Sequence, residues 1–93
     1  MTLAVKKRIG RAKQAAFKAL RDVQYDVIPS DNRIFCLVAS RDKEIRLIRV
    51  VIDECSPRDI ESIREFRAPS AACTKEVWIR RPDNSGFDTV IVQ

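Results

Sequence analysis

The chain contains no histidine, only two glycines, and three cysteines that lie far apart in the sequence. Without histidine it cannot form an imidazole-based catalytic triad, and nearly all zinc sites are excluded. Cys36, Cys55 and Cys73 form no CxxC pair, and their odd number indicates reduced thiols in a cytoplasmic protein. No apolar run approaches the roughly 20 residues that a membrane-spanning helix needs. Any catalysis would therefore depend on carboxylates, lysine, cysteine, or a hard metal ion held by oxygen atoms.

Acidic residues are also absent from the first 21 positions, which carry seven basic side chains. The remaining 72 residues hold eleven basic and thirteen acidic side chains, so the net charge of +5 arises entirely in the N-terminal segment. An asymmetry of this kind concerns binding partners rather than the fold.

Residues 4–23 favour a helix because they are rich in Ala, Lys, Arg and Leu and contain no proline. At 100° per residue, one side of this helix carries the apolar residues Ile9, Ala12, Ala16, Leu20 and Val23. The opposite side carries the basic residues Lys7, Arg11, Lys18 and Arg21. Lys13 falls at the edge of the apolar side. The basic side is either a solvated helix surface or a contact for nucleic acid, and the pattern leaves both interpretations open.

Five apolar runs predict strands at residues 25–28, 34–39, 45–52, 75–81 and 87–92. Residues 41–44 would form the loop of a hairpin between the second and third strands. A second helix is predicted to begin at Ser56-Pro57, because serine is a favoured N-cap and proline a favoured first helical residue. The predicted order is thus α-β-β-β-α-β-β.

This order predicts one α/β domain over residues 1–93, with helices flanking a mixed sheet. The second strand is apolar almost throughout, which indicates burial on both faces of the sheet. The strand–helix–strand unit at residues 45–81 would allow one pair of strands to be parallel.

The element order resembles that of the restriction-endonuclease-like (PD-(D/E)xK) superfamily, and within it Holliday-junction resolvases and small nucleases of phages or mobile elements. Members typically carry "Gly-Tyr-x-Val", then "Phe-Asp-Leu-Ile-Ala", then "Leu-Ile-Glu-Val-Lys". The corresponding stretches here are residues 24–27 (QYDV), 35–39 (FCLVA) and 47–51 (LIRVV). The likeness covers nearly the whole chain and implies a metal-dependent nuclease fold.

The resemblance also implies a metal site whose residues are replaced in this chain. The family uses an aspartate on one strand and Glu-x-Lys on the next to hold Mg²⁺ at the scissile phosphate. Those positions are occupied by Cys36, Arg49 and Val51, and some resolvases place a further glutamate where this chain has Lys13. If residues 41–44 form the loop, Cys36 would lie directly opposite Arg49. The site would then favour an anion over a cation, unless Arg49 simply pairs with an acid such as Asp26, Asp53 or Glu54.

The sequence leaves three functions open. The first is a DNA-binding protein on a nuclease-like fold, without cleavage activity and without a cofactor. It would hold phosphates with Lys7, Arg11, Lys18 and Arg21, assisted by Lys13 and Arg49.

The second is a Mg²⁺-dependent endonuclease with a displaced acidic site at Asp31, Asp53 and Glu54. The third is an interaction module, for example a homodimer formed through an edge strand that exposes Val90, Ile91 and Val92. Fold likeness alone does not choose among the three functions.

Overall fold

The computed structural model describes residues 3–30, 32–83 and 86–93, with side chains from residue 7 onward. The elements are α1 (Leu3–Asp22), β1 (Asp26–Pro29), β2 (Leu37–Arg41), β3 (Glu44–Ile52), α2 (Pro57–Glu65), β4 (Cys73–Arg80) and β5 (Phe87–Val92). The predicted α/β class and the order α-β-β-β-α-β-β are therefore confirmed. In this part of the chain, neither helix is both long and apolar enough to cross a membrane.

The strands form one five-stranded sheet in the spatial order β1-β2-β3-β4-β5. Neighbouring strands are antiparallel except β3 and β4, which are parallel and are connected through α2. The predicted parallel pair is thus present. Because β3 is in the centre, it positions residues on both faces of the sheet.

Two apolar clusters cover the two faces of the sheet, so the prediction that the second strand is buried on both sides is confirmed. The α1 side contains Ala12, Ala16 and Leu20 of the helix, packed against sheet residues such as Ile48 and Val50. The α2 side contains Ile63, with Ile60 and Phe66 next to it, packed against Phe35, Leu47, Val77 and Val92. Burying apolar area on both faces is the main source of stability in a domain of this size.

The hairpin between β2 and β3 is tighter than predicted. Arg41 pairs with Glu44, so only Asp42 and Lys43 form the turn, and the predicted loop of four residues is wrong by one residue on each side. Asp42 has φ 53°, a left-handed conformation that Asp tolerates better than most residues. The register follows from this turn and places Leu37 opposite Ile48.

The α2 helix begins as its sequence predicts. The Ser56 hydroxyl accepts a hydrogen bond from the Asp59 amide (3.1 Å), and Pro57 is the first helical residue. This cap fixes the start of α2 and places Asp59 in its first turn, where a carboxylate interacts favourably with the helix dipole.

The edge strand β5 is partly as expected. Val90 and Ile91 are exposed, whereas Val92 is buried in the α2-side cluster, so its predicted exposure is wrong. Val23, predicted on the apolar side of the first helix, is half exposed because α1 ends at Asp22.

Candidate nucleic-acid interface

A cleft of about 740 Å³ lies between α1 and the segment that leads from β1 into β2, over the C-terminal end of β3. Its apolar wall includes Ile9, Phe17 and Leu37. Its described charged lining residues are four basic ones and one acidic one: Arg8, Lys13, Arg33, Arg49 and Asp53. The electrostatic potential of such a cleft favours an anion.

All four positions predicted for the replaced metal site line this cleft: Lys13, Cys36, Arg49 and Val51. Their side chains nevertheless belong to two sides of the sheet. Lys13 is exposed on α1, and Cys36 packs against the α1-side cluster. Val51 packs against the α2-side cluster, and Arg49, two positions earlier in the same strand, points to that side as well.

The separation of Cys36 from Arg49 has a local cause in the backbone. The β2–β3 ladder ends at Leu37, which pairs with Ile48, and the amide of Cys36 also donates to the Ile48 carbonyl (2.8 Å). Two residues therefore lie opposite one, which is the arrangement of a β-bulge. Cys36 and Leu37 consequently face the same side, and the expected direct opposition of Cys36 and Arg49 is wrong.

The guanidinium of Arg49 is bonded within the protein. It donates to the carbonyl oxygens of Arg33 (2.7 Å) and Ile34 (3.2 Å) and lies 3.7 Å from the Asp59 carboxylate of α2. Its acidic partner is thus Asp59, rather than the Asp26, Asp53 or Glu54 considered from the sequence. Arg49 ties the segment before β2 to α2 and so shapes the rim of the cleft.

The acidic residues of the alternative metal site are not gathered into a metal-binding group among the described residues. Asp31 lies outside the described residues. Asp53, at φ 67°, lies 3.9 Å from Arg8, and the side chains of both are more than half exposed. A carboxylate next to an arginine is a weaker candidate for holding a cation than an unpaired one.

The four basic residues predicted to contact nucleic acid are all exposed along α1: Lys7, Arg11, Lys18 and Arg21. Lys7 and Arg21 are fourteen residues apart, which corresponds to about 21 Å of helix. A nucleic-acid strand carries a phosphate about every 3.4 Å of helix axis, so this face spans several phosphates. The sequence missed Arg8 and Arg33, because residues from separate elements meet at the cleft only in the folded chain.

A cluster of hydrogen-bonded polar side chains that the sequence did not predict lies at the other end of β3. Glu76 is buried and accepts two hydrogen bonds from Arg46 (2.7 and 2.6 Å), one from Thr74 (2.8 Å) and one from Trp78 (3.1 Å). Burial opposes ionisation of Glu76, but these hydrogen bonds outweigh it and hold the pKa of the carboxyl below its ordinary value. The pKa of Arg46 is raised, chiefly by its hydrogen bonds to Glu76.

The chain matches no protein-family model, and no curated protein is detectably similar to it.

Proposed function

We propose that this protein binds nucleic acid, most directly DNA, through the exposed basic face of α1 and the adjoining cleft, and that it does not cleave it. The observation that carries the proposal is the continuity of the two positive surfaces. Lys7, Arg11, Lys18 and Arg21 follow the solvent side of α1, and Arg8 and Lys13 of the same helix line the cleft. Phosphate contacts from such a surface supply most of the affinity of non-specific binding.

The absence of cleavage is supported by the residues at the nuclease-like positions. Cys36, Arg49 and Val51 offer no pair of oxygen ligands for Mg²⁺, and Arg49 is engaged with two backbone carbonyls and Asp59. We include in the proposal that the fold is related to that of resolvases and phage nucleases, because the element order on which this resemblance depends is present. A reducing, cytoplasmic setting accords with three free cysteines.

The test is binding measured by fluorescence anisotropy on duplex, single-stranded and four-way-junction DNA, over a series of salt concentrations, with and without Mn²⁺. Four phosphate contacts predict a log–log salt slope of roughly −3 to −4 for the wild-type protein. A variant neutralised on the α1 face, Lys7→Gln with Arg11→Gln, Lys18→Gln and Arg21→Gln, is expected to lose about 100-fold in affinity at moderate salt, with a clearly shallower slope that reports only the contacts left in the cleft. No cleavage product is expected, either with or without Mn²⁺.

A matched control loses the same charge elsewhere. Lys43 in the hairpin turn and three exposed arginines on or next to α2 provide it, as the variant Lys43→Gln with Arg58→Gln, Arg64→Gln and Arg67→Gln. The proposal requires that this control keep most of its affinity. Equal losses in both variants would mean that only net charge matters, and a salt-independent affinity would contradict phosphate binding altogether.

A further inference from the structure

A second, smaller depression of about 260 Å³ adjoins the cleft and is lined by three arginines, Arg8, Arg11 and Arg80, with Ala12, Ile52 and Pro82. We call it the arginine pocket. Arg8 and Ile52 line both the pocket and the cleft, so the two concavities share a wall. No local sequence pattern indicates this site, because Arg80 is 69 positions from Arg11 along the chain.

Backbone and aromatic contacts fix the place of Arg80 in the pocket. It is the last residue of β4 and pairs with Ile52 of β3, and its carbonyl accepts a hydrogen bond from the Asp53 amide (3.2 Å). Its guanidinium lies 4.9 Å from the centre of the Phe87 ring, a cation–π distance that limits the positions it can take. Arg8 and Arg11 are three residues apart and therefore project from neighbouring positions of α1.

The arginines of the pocket have few acidic partners in the part of the chain that the structure describes. Among the described residues, no carboxylate lies within ion-pair distance of Arg11 or Arg80, and that of Arg8 is Asp53 at 3.9 Å. The next residue in sequence, Arg81, shows the contrast. It donates two hydrogen bonds to Asp88 (3.0 and 2.7 Å), and these raise its pKa. Three arginines around one concavity, with a single exposed carboxylate 3.9 Å from one of them, make a favourable site for an anion.

We propose that the arginine pocket binds a phosphate group of the nucleic acid, with a terminal phosphate monoester bound more tightly than an internal diester. Guanidinium groups match phosphate oxygens with paired hydrogen bonds, and three of them around one concavity can contact several oxygens at once. A monoester carries close to two negative charges near pH 7, whereas a diester carries one. The inference depends on the proposed function only for the source of the phosphate.

The first test uses inorganic phosphate and the arginine side-chain Nε–Hε signals in NMR spectra of the full chain. Saturable shifts are expected for Arg8, Arg11 and Arg80 at millimolar phosphate, and none for Arg81. Shifts that involve Arg81 to the same extent, or that do not saturate, would overturn the pocket. This arm needs no oligonucleotide, so it decides the pocket even where the wild-type protein binds no DNA and the proposed function fails.

The second test identifies the source of the phosphate with oligonucleotides that carry a 5′-phosphate, a 3′-phosphate or hydroxyl ends only. Arg80→Gln is expected to lower affinity for a phosphorylated end about tenfold and to abolish the preference over hydroxyl ends, whereas Arg81→Gln keeps it. Arg8→Gln, in an exposed helix position, gives a second variant with the same expected effect. An equal loss on all oligonucleotides with Arg80→Gln alone would assign the pocket to an internal phosphate. Identical behaviour of Arg80→Gln and Arg81→Gln would refute the proposal.

Discussion

Arginines lie near both ends of β3 on the α1-facing side of the sheet, and their acidic partners differ between the two ends. At the N-terminal end, Arg46 forms a paired hydrogen bond with buried Glu76 and contacts the rings of Tyr25 and Trp78, at 5.2 and 5.4 Å from their centres. At the C-terminal end, Arg8, Arg11 and Arg80 surround a concavity in which, among the described residues, the only ion pair is the exposed contact of Arg8 with Asp53 at 3.9 Å. We call the first the closed end and the second the open end.

The comparison separates structural arginines from candidate ligand-binding ones by their partners. The polar side chains of the closed end have all their hydrogen-bond partners, since no buried polar side-chain atom in the described part of the chain lacks a hydrogen bond. Its residues are engaged and its arginine is largely covered, so it has little capacity left for a ligand. At the open end, Arg11 and Arg80 have no ion-pair partner among the described residues, so their charge is available to an external anion.

The largest effect is expected at the closed end, from Glu76→Gln. This change removes the charge that matches Arg46 while keeping the size of the side chain, and it leaves the Arg46 guanidinium partly buried without a counter-ion. We expect a loss of about 3 kcal/mol in the free energy of unfolding, measured by urea denaturation with the slope unchanged. A loss below about 1 kcal/mol would show that the pair contributes no more than a surface ion pair and would remove the contrast.

A pH effect of the same origin comes next. Because the pKa of Glu76 is lowered in the folded protein, its ionisation stabilises the fold at pH values above the ordinary glutamate pKa of about 4.3. This stabilisation is lost as the pH falls through the lowered, folded-state pKa. Urea denaturation between pH 7 and pH 2 is expected to show a steeper loss of stability for wild type than for Glu76→Gln. Parallel curves of unfolding free energy against pH for the two proteins would contradict this prediction.

A smaller loss is expected from Arg49→Gln, which removes the hydrogen bonds to the carbonyls of Arg33 and Ile34 and the contact with Asp59. Because the Arg49 side chain is about one-quarter exposed, we expect a loss of about 1–2 kcal/mol in the free energy of unfolding rather than the full value of a buried charged pair. Hydrogen exchange should increase in residues 33–36, since Arg49 holds this segment against α2. Arg58→Gln, an exposed change in the same helix as Asp59, is the control and should leave both measurements unchanged.

The sequence predicted the parts of this molecule that depend on local pattern. The amphipathic helix α1, the Ser56 cap and the order of the strands follow from periodicity and turn chemistry, which neighbouring residues carry. The register of the β2–β3 hairpin was also predicted correctly, although its turn is two residues long instead of four. The bulge at Cys36 was not predicted, because the alternation of apolar and polar residues gives no signal for one extra residue. This bulge changes the side of the sheet that Cys36 faces.

Pairs of residues on different strands could not be predicted from the sequence, for a different reason. Arg46 and Glu76 are 30 residues apart and lie on separate strands, so nothing in either local segment indicates that one neutralises the other. The same is true of Arg80 with Arg8 and Arg11. Charge counts along the chain therefore located the basic helix correctly but could not sort matched arginines from unmatched ones.

The smallest effect on stability is expected at the open end, from Arg11→Gln. Arg11 is exposed and has no ion-pair partner among the described residues, and its charge lies close to two other arginines. Removing it relieves repulsion and breaks no ion pair among the described residues, so the free energy of unfolding should change by no more than about 0.5 kcal/mol, with a slight gain at low salt. Urea denaturation at low and high salt, alongside Arg46→Gln as the matched change at the closed end, measures this directly. If Arg11→Gln destabilised the protein as much as Arg46→Gln does, the open end would be held together by contacts of its own, and its arginines would have a structural role instead of being available to bind an anion.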